Sequence, residues 1–397
     1  MLIGIVGKAN CGKSTTFKAI TLADVLIANY PFATIDPNKG FAFVRIDCVD
    51  KEFNQQCNPR FGSCVNHQRF VPFEVMDVAG LVPGAHLGKG MGLTFLDDLR
   101  QADAFVHVVD MAGSTNEKGE PVDPGSYDPA NDIRFLEIEL DMWVYGIITK
   151  GWEKLSRALQ QEKGAVVKAL GKQLSGLNIS EGLVEALVKQ LKLDPLLPAN
   201  WTEEQLKELA VLIRKKSKPM VIAANKMDLP TAKANVERIK KLFPDSIIIP
   251  VSAEAELTLR QAAKAGLIDY LPGDKTFTLK GNVNPKQKEA LDYIHKTVLD
   301  VWGSTGVQQT LNTAVFDLLH FMAIFPGGVN RLADKDGNIL PDCFLLPPGS
   351  TAFDFAAKIH TDLATHFVAA MDVKTKRKIG RETLLKHRDV VEILTSK

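Results

Sequence analysis

Short, strongly apolar runs recur through the chain, each closing on glycine or a polar cluster. They are "LIGIVG" at the start, "VPFEVMDVAG", "AFVHVVDM" at 104–111, "PMVIAANKMD" and "IIIPVSAE". Runs of this length, apolar at nearly every position, read as strands buried on both faces of a parallel sheet. The periodicity then changes. "DIRFLEIELDMWVYGIITKGWEKLSRAL" puts apolar residues at 133, 136, 140, 143/144 and 147/148, a three–four helical spacing. "AVVKALGKQLSGL" and "EGLVEALVKQLKL" continue it, "DPLLPAN" interrupts it, and "TEEQLKELAVLIRKK" opens with a capping box of Thr202 and Gln205. A helical insert in the form of a coiled hairpin is expected here, with a bundle packed on the rest of the chain as the alternative.

Beyond "SAE", "NPKQKEALDYIHKTVLDVW" is the clearest helix of a connector. "HFMAIFPGG", "NRLADKDGNILPDCFLLPPG", "TAFDFAAKIHTDLATHF" and "VAAMDVKTKRKIGRETLLKHRDVVEIL" then read as strand, strand, helix and strands. "DKDGN" is a hairpin turn, and Thr351-x-x-Asp354 is a helix cap. The expected fold class is α/β, with a doubly wound, mostly parallel sheet formed by 1–127 and 217–275. A helical insert follows at 128–216, a helical connector at 276–320, and a small β-rich module at 321–397.

Composition adds mainly exclusions. The chain has 397 residues, 45% hydrophobic and 24% charged, with a net charge of +1. That describes a globular protein of several domains with no global field for DNA or membrane, so any basic surface is local. No run of about 18 apolar residues suggests a membrane span. "MLIGIVG" lacks a basic leader and runs into a glycine-rich loop, so it reads as a first strand rather than a signal peptide. Five cysteines do not make a disulfide scaffold, and a reducing cytoplasm is the expected location.

The chemistry begins at "GKANCGKST". The pattern G-x-x-x-x-G-K-S, with Gly7, Gly12, Lys13 and Ser14, stands between a strand and a helix expected from about Thr15. Such a loop wraps phosphates with backbone N–H groups, and glycines permit the close approach. The contacts are expected from Gly7, Lys8, Ala9, Asn10, Cys11, Gly12, Lys13, Ser14 and Thr15. Lys13 would reach the β/γ oxygens, Ser14 would ligate Mg²⁺, and the helix N-terminus would face the phosphates.

The second apolar run ends in D-x-x-G. Asp77 would hold Mg²⁺, and the Gly80 N–H would sense the γ-phosphate. Asn225-Lys226-Met227-Asp228 ends a further strand. An aspartate there accepts two hydrogen bonds from guanine N1–H and the exocyclic amine, donors that adenine does not offer together. A polar site of this kind discriminates by roughly 10⁴. Lys226 would pack its stem along the base. Ser252, Ala253 and Glu254 would complete the base pocket, with the Ala253 N–H at guanine O6. In "NYPFATIDPNKG", Thr34 is the candidate for ligating Mg²⁺ and meeting the γ-phosphate, with Thr21 the weaker alternative.

"GKANCGKST", "NYPFATIDPNKG", "DVAGLVPGAHLGKGMGLTFLDDLRQAD" and "NKMD" together resemble the Obg–YchF group of translation-factor-class GTPases, closely over 1–110 and 218–255. The likeness is nearest to the YchF branch, which implies a helical arm for a partner at the insert. Many YchF proteins depart from N-K-x-D and use ATP; the intact N-K-M-D here favours GTP and is closer to archaeal relatives or to Obg. "LPPGSTAFDFAAKIHTDLATHF" resembles a TGS domain, a β-grasp module associated with RNA or ribosome contacts. The basic run Lys374, Lys376, Arg377, Lys378, Arg381, Lys386, His387 and Arg388 could face phosphates or simply be solvated. The resemblance implies a GTP/GDP switch with slow hydrolysis, acting on the ribosome or ribosomal RNA, without membrane or DNA.

Ras-type GTPases carry a water-orienting glutamine where this chain has Leu81. The group resembled here typically has a hydrophobic residue at that place. Two other residues are candidates: Asn10, through a K⁺ ion near the β/γ bridge, and His86 in the following loop. Two further readings differ in class: a YchF-like ATPase of stress regulation, and an RNA-binding scaffold whose nucleotide site is structural. Cys57-x₆-Cys64, with Cys48 and His67 nearby, lacks the C-x₂₋₄-C spacing usual for metal knuckles. A metal site, a disulfide and a structural loop all remain open for it.

Overall fold

A computed structural model describes residues 1–22, 38–78, 99–161, 165–177 and 179–396. Thr34, Gly80, Leu81 and His86 lie outside the described residues. In chain order the first elements are β1 (Leu2–Val6), α1 (Lys13–Thr21), β2 (Lys39–Asp47), β3 (Ser63–Val65), β4 (Gln68–Asp77) and β5 (Ala104–Asp110). The helices α2 (Pro129–Thr149), α3 (Trp152–Gln161), α4 (Val166–Leu174), α5 (Glu181–Gln190) and α6 (Glu203–Ser217) follow. Next come β6 (Met220–Asn225), α7 (Ala232–Leu242), β7 (Ile247–Pro250), α8 (Ala253–Lys264) and α9 (Pro285–Ile294). The last part holds α10 (Val307–Asn312), β8 (Met322–Pro326), β9 (Phe344–Leu346), α11 (Ala352–Ile359), β10 (Phe367–Asp372), β11 (Arg377–Ile379) and β12 (Val390–Thr395).

The chain divides into two compact units. One comprises Met1–Ala19 and Met76–Val307; the other comprises Ile20–Val75 and Gln308–Lys397. In the first unit β1, β5, β6 and β7 are neighbours in that order, all parallel, with pairs such as Ile5↔Val106, Val108↔Ala223 and Ala223↔Ile249. Every residue of β1 and β5 is buried, as strands covered on both faces require. Just past β4, Val78 N–H donates to the Ile5 carbonyl at 3.1 Å, which brings the end of β4 beside β1.

The insert is not a coiled hairpin; it takes the other expected form, a bundle packed on the rest of the chain. Its helices α2 to α6 form a bundle around one core that includes Leu136, Leu140, Trp143, Leu170, Leu187 and Leu209. The shorter helices α3 to α5 are strongly apolar on one face and bury it here, which a two-helix hairpin could not achieve. Asp128 caps α2, its side chain accepting from Ala130 N–H, with Pro129 in the first turn. The Thr202–Gln205 capping box opens α6 in both directions, at 3.3 and 2.9 Å.

The second unit contains a mixed sheet in the order β9-β8-β12-β10-β11. β8 and β12 are parallel and the other pairs antiparallel. Helix α11 buries Phe355 and Ala356 against this sheet, and the Thr351–Asp354 capping box opens it. The long helix expected over 351–367 is broken at His360, whose backbone is extended (φ −164°) and whose ring caps a short second helix, Thr361–Thr365. "DKDGN" turns the chain, with Ala333 and Ile339 bridged across it, but its flanks form no longer ladder. In the same unit, Gln308 and Asn312 of α10 bond the backbone of β2 at Phe43 and Arg45 (2.7–3.0 Å). No described helix is long and apolar enough to cross a membrane.

Candidate functional site: a phosphate loop and a base pocket

The phosphate loop connects β1 to α1. Helix α1 starts at Lys13, two residues earlier than expected, because the Gly12 carbonyl already accepts both the Thr16 N–H and its hydroxyl at 2.9 Å. Gly7 has φ +151°, and a Cβ there would sit 2.5 Å from the Val108 carbonyl of β5. The loop lies so close to the sheet that only glycine fits.

The side chains of the loop divide by direction. Lys13 is buried, and its ammonium donates to the Lys8 carbonyl at 2.7 Å, so it lies across the loop. Lys8 points into the protein instead. Its Nζ pairs with Asp132 at 2.8 Å, donates to the Thr115 carbonyl at 2.9 Å and lies 3.9 Å from the Tyr127 ring centre. Lys8 therefore anchors the loop to α2, and only its backbone is placed for phosphate. Asn10 adopts φ 56° and donates its amide to the Gly119 carbonyl at 2.9 Å. Cys11 is buried, its thiol donating to the Lys8 carbonyl, and burial raises its pKa to about 11. It is a packing residue and not a nucleophile.

Asp77 ends β4 beside the loop, and Ser14 Oγ lies 3.4 Å from its Oδ2. Burial raises the Asp77 carboxyl above the usual range, opposed by the Lys13 ammonium and the Ser14 hydroxyl. Its Oδ1 is buried and has no hydrogen-bond partner among the described residues. A buried carboxylate oxygen left unpaired beside an exposed hydroxyl suits a hard divalent cation, so Ser14 and Asp77 fit Mg²⁺. Behind them His107 is fully buried in β5, and burial pushes its pKa down to about 3, with the Lys13 charge adding to this.

The guanine-type motif follows β6. Asn225 ties the two halves of the site together: Nδ2 donates to the Cys11 carbonyl at 2.9 Å, and Oδ1 accepts from Ala253 N–H at 3.0 Å. The Ala253 N–H expected at guanine O6 is therefore bonded to Asn225, because the amide spans both loops at once. Lys226 is held at φ 65° by bonds from Nζ to Asp110 and Ser114, each 3.0 Å. Asp110 is fully buried and also accepts from Ala112 N–H, Ser114 and Thr115. Ser252 donates to Asp228 Oδ1 at 2.8 Å, which fixes the carboxylate plane.

Next to Asp228 is a cavity of about 410 Å³. Ser252, Glu254 and Ala255 line one side; Lys286, Glu289 and Tyr293 of α9 line the other. The Tyr293 hydroxyl donates to the Asp228 carbonyl at 3.2 Å. The part α9 plays in this cavity carries no signal in the sequence, since "NPKQKEALDY" reads only as an amphipathic helix. Thr21 ends α1.

The fold and this pair of loops define a P-loop nucleotide-binding protein of the GTPase type. Family models match in three places: a 50S ribosome-binding GTPase model over 2–134, the G4-motif domain of the YGR210-like Obg-like GTPases over 223–328, and a TGS domain over 332–395. An uncharacterized GTP-binding protein of Methanocaldococcus jannaschii is 50% identical over 100% of this chain and 99% of its own. The ribosome-binding ATPase YchF of Bacillus subtilis is 36% identical over 64% of this chain and 66% of its own. A GTP-binding protein from Pyrococcus horikoshii OT3, known by crystal structure, is similar over the full length of both chains, with 38% identity and a TM-score of 0.77. The chain belongs to the Obg/YchF-related family of GTPases and carries the TGS domain at its C-terminal end.

Proposed function

We propose that this protein is a GTP-specific, Mg²⁺-dependent switch with slow hydrolysis, acting on the ribosome or ribosomal RNA in the cytoplasm. The observation that carries the base assignment is the Asp228 carboxylate, oriented by Ser252 in the lining of a cavity of about 410 Å³. Guanine N1–H and its amine would pair with that carboxylate. Adenine would leave it desolvated and unpaired. Tyr293 would form one wall of the base site, and the first turn of α8, from Ala253 and Glu254, would face the base edge.

In the phosphate half, Lys13 would turn from the Lys8 carbonyl to the β/γ oxygens, and the loop amides would hold the rest. Mg²⁺, when bound by Ser14 and Asp77, would neutralise phosphate charge as it shifts toward the leaving group. Thr34 and the Gly80 N–H are assigned to the γ-phosphate, so that hydrolysis releases their segments. Asn10 has its Nδ2 fixed on Gly119, which leaves Oδ1 as its acceptor, and we assign that oxygen to a K⁺ ion in place of an arginine finger. His86 is the second candidate for orienting water.

The ribosomal assignment rests on the matching family's description and on a relative that is named as ribosome-binding. Within the basic C-terminal run, Lys374 and Arg388 pair with Glu52 at 2.8 and 2.6 Å, while Lys376, Arg377 and Lys378 are exposed and form no such pair among the described residues. Those three are the residues we assign to RNA phosphates. We assign 1–127 and 217–275 to the nucleotide domain, 128–216 to the insert, 276–320 to the connector and 321–397 to the TGS module.

The deciding experiment is equilibrium binding of GTP, GDP and ATP with Mg²⁺ to the wild type and Asp228→Asn. GTP preference that collapses in the variant supports the guanine site. Equal or better ATP binding by the wild type would move the protein to the ATP-using side of its family.

A further inference from the structure

Three of the five cysteines converge in the second unit. Cys48 follows β2 directly, Cys57 lies in the loop after a short 3₁₀ turn at Val49–Phe53, and Cys64 sits in β3. Their sulfurs and a carboxylate oxygen of Asp50 all lie within 4.8 Å of one another. Cys48 Sγ and Cys57 Sγ are 3.5 Å apart, well beyond a disulfide bond, and both are free thiols. Four ligands placed tetrahedrally at Zn–S lengths near 2.3 Å would put sulfurs about 3.8 Å apart.

The surroundings fit a charged centre rather than three packed thiols. Asp50 is fully buried, and its carboxylate is supported on both sides: Oδ1 lies 2.9 Å from His67 Nδ1, and Oδ2 accepts from Cys57 N–H at 2.9 Å. Arg69, 1% exposed, donates from Nη1 to Cys57 Sγ at 3.4 Å and to the Leu340 carbonyl at 3.1 Å, and from Nη2 to the Pro341 carbonyl at 2.9 Å. Burying both a carboxylate and a guanidinium against a cluster of sulfurs is costly unless those groups share in a larger charge balance. Three thiolates, one carboxylate, Zn²⁺ and Arg69 sum to one negative charge, and His67 backs the carboxylate in the manner of an outer partner.

The loop itself also needs a staple. Across 51–68, Cys57 is the one buried residue, so the segment has no apolar core of its own. It nevertheless holds three non-glycine residues in the left-handed region, Asn54, Asn66 and His67. Small segments ordered without a core are commonly held by metal or disulfide. Thiolate-rich donors select zinc over hard cations.

We propose that Cys48, Cys57, Cys64 and Asp50 form a closed structural Zn²⁺ site that fastens the β2–β4 connection, with His67 and Arg69 as positioning residues. The ligands come from three places in a 17-residue stretch whose spacing, C-x₈-C-x₆-C, matches no common knuckle.

The test uses the full chain purified under reducing conditions. Elemental analysis should find one zinc per chain. Replacing the metal with Co²⁺ should give the strong visible bands of tetrahedral cobalt and thiolate charge-transfer absorption. Cys57→Ser and Cys64→Ser should lose the metal to background while keeping GTP binding, and Cys343→Ser should retain it. Metal-free wild type that takes up no Co²⁺ would overturn the proposal. So would an iron–sulfide chromophore, or a Cys48–Cys57 disulfide in peptide maps of freshly isolated protein. Should the serine variants fail to fold, the cobalt spectrum of the wild type decides alone, because octahedral, oxygen-type bands would exclude thiolate ligation.

Discussion

Asn225 Nδ2 donates to the Cys11 carbonyl at 2.9 Å across 214 residues of sequence, joining the base-reading motif to the phosphate loop. The contact also explains Gly12, whose φ is +104° and where a Cβ would lie 2.1 Å from that same nitrogen. Asn225→Ala should leave the Cys11 carbonyl and the Ala253 N–H without partners. The cost is about 1–3 kcal/mol for each buried group. Thermal melts should show the loss without nucleotide, and GTP affinity should fall together with GDP affinity. An unchanged melting temperature would mean that the bridge is not formed.

Asp77, next to Ser14, has a buried carboxylate oxygen without a hydrogen-bond partner among the described residues. Asp77→Asn keeps the shape and removes the charge that Mg²⁺ needs. GTP binding in EDTA should stay near wild type, while the gain in affinity on adding Mg²⁺ should shrink by roughly tenfold or more, as for loss of a charged contact. Isothermal titration with and without Mg²⁺ separates the two. An intact Mg²⁺ increment would remove Asp77 from the metal site.

Asn10 commits its Nδ2 to the Gly119 carbonyl, and its Oδ1 is the acceptor we assign to K⁺. Single-turnover GTP hydrolysis by Asn10→Ala should lose its acceleration by K⁺ over Na⁺ and keep its basal rate. Full K⁺ stimulation in the variant would exclude the residue and leave His86 as the candidate to test by His86→Ala.

His107 is buried neutral, with a pKa near 3 against about 6.5 when unfolded. Between those values the unfolded chain binds the extra proton. The stability contributed by the neutral ring is complete above pH 6.5 and is lost as pH falls toward 3, at up to about 1.4 kcal/mol per pH unit. His107→Leu should flatten the part of the urea-midpoint slope below pH 6.5 that His107 supplies. An unchanged slope would mean that the ring protonates in the folded state.

Several features were legible because they are local. A strand covered on both faces needs apolar residues throughout, so β1, β5 and β6 announce themselves. A phosphate loop needs glycines at fixed offsets, and a capping box needs Thr202 three residues before Gln205. Each depends on neighbours along the chain, and spacing records that directly. The insert was legible as helices, with hairpin and bundle both left open, since periodicity shows which face is apolar and not how many helices share it.

What only tertiary structure decided has no period in sequence. The inward turn of Lys8 depends on Asp132 and Tyr127, more than a hundred residues away. The occupation of the Ala253 N–H depends on where Asn225 lies between two loops. The wall at Tyr293 depends on the path of α9 past Asp228. The meeting of Cys48, Cys57 and Cys64 depends on a 3₁₀ turn and a β3–β4 hairpin folding back on β2. Sequence spacing encodes backbone geometry over a few residues; the direction of a side chain is set by the remote groups that satisfy its charge or hydrogen bonds.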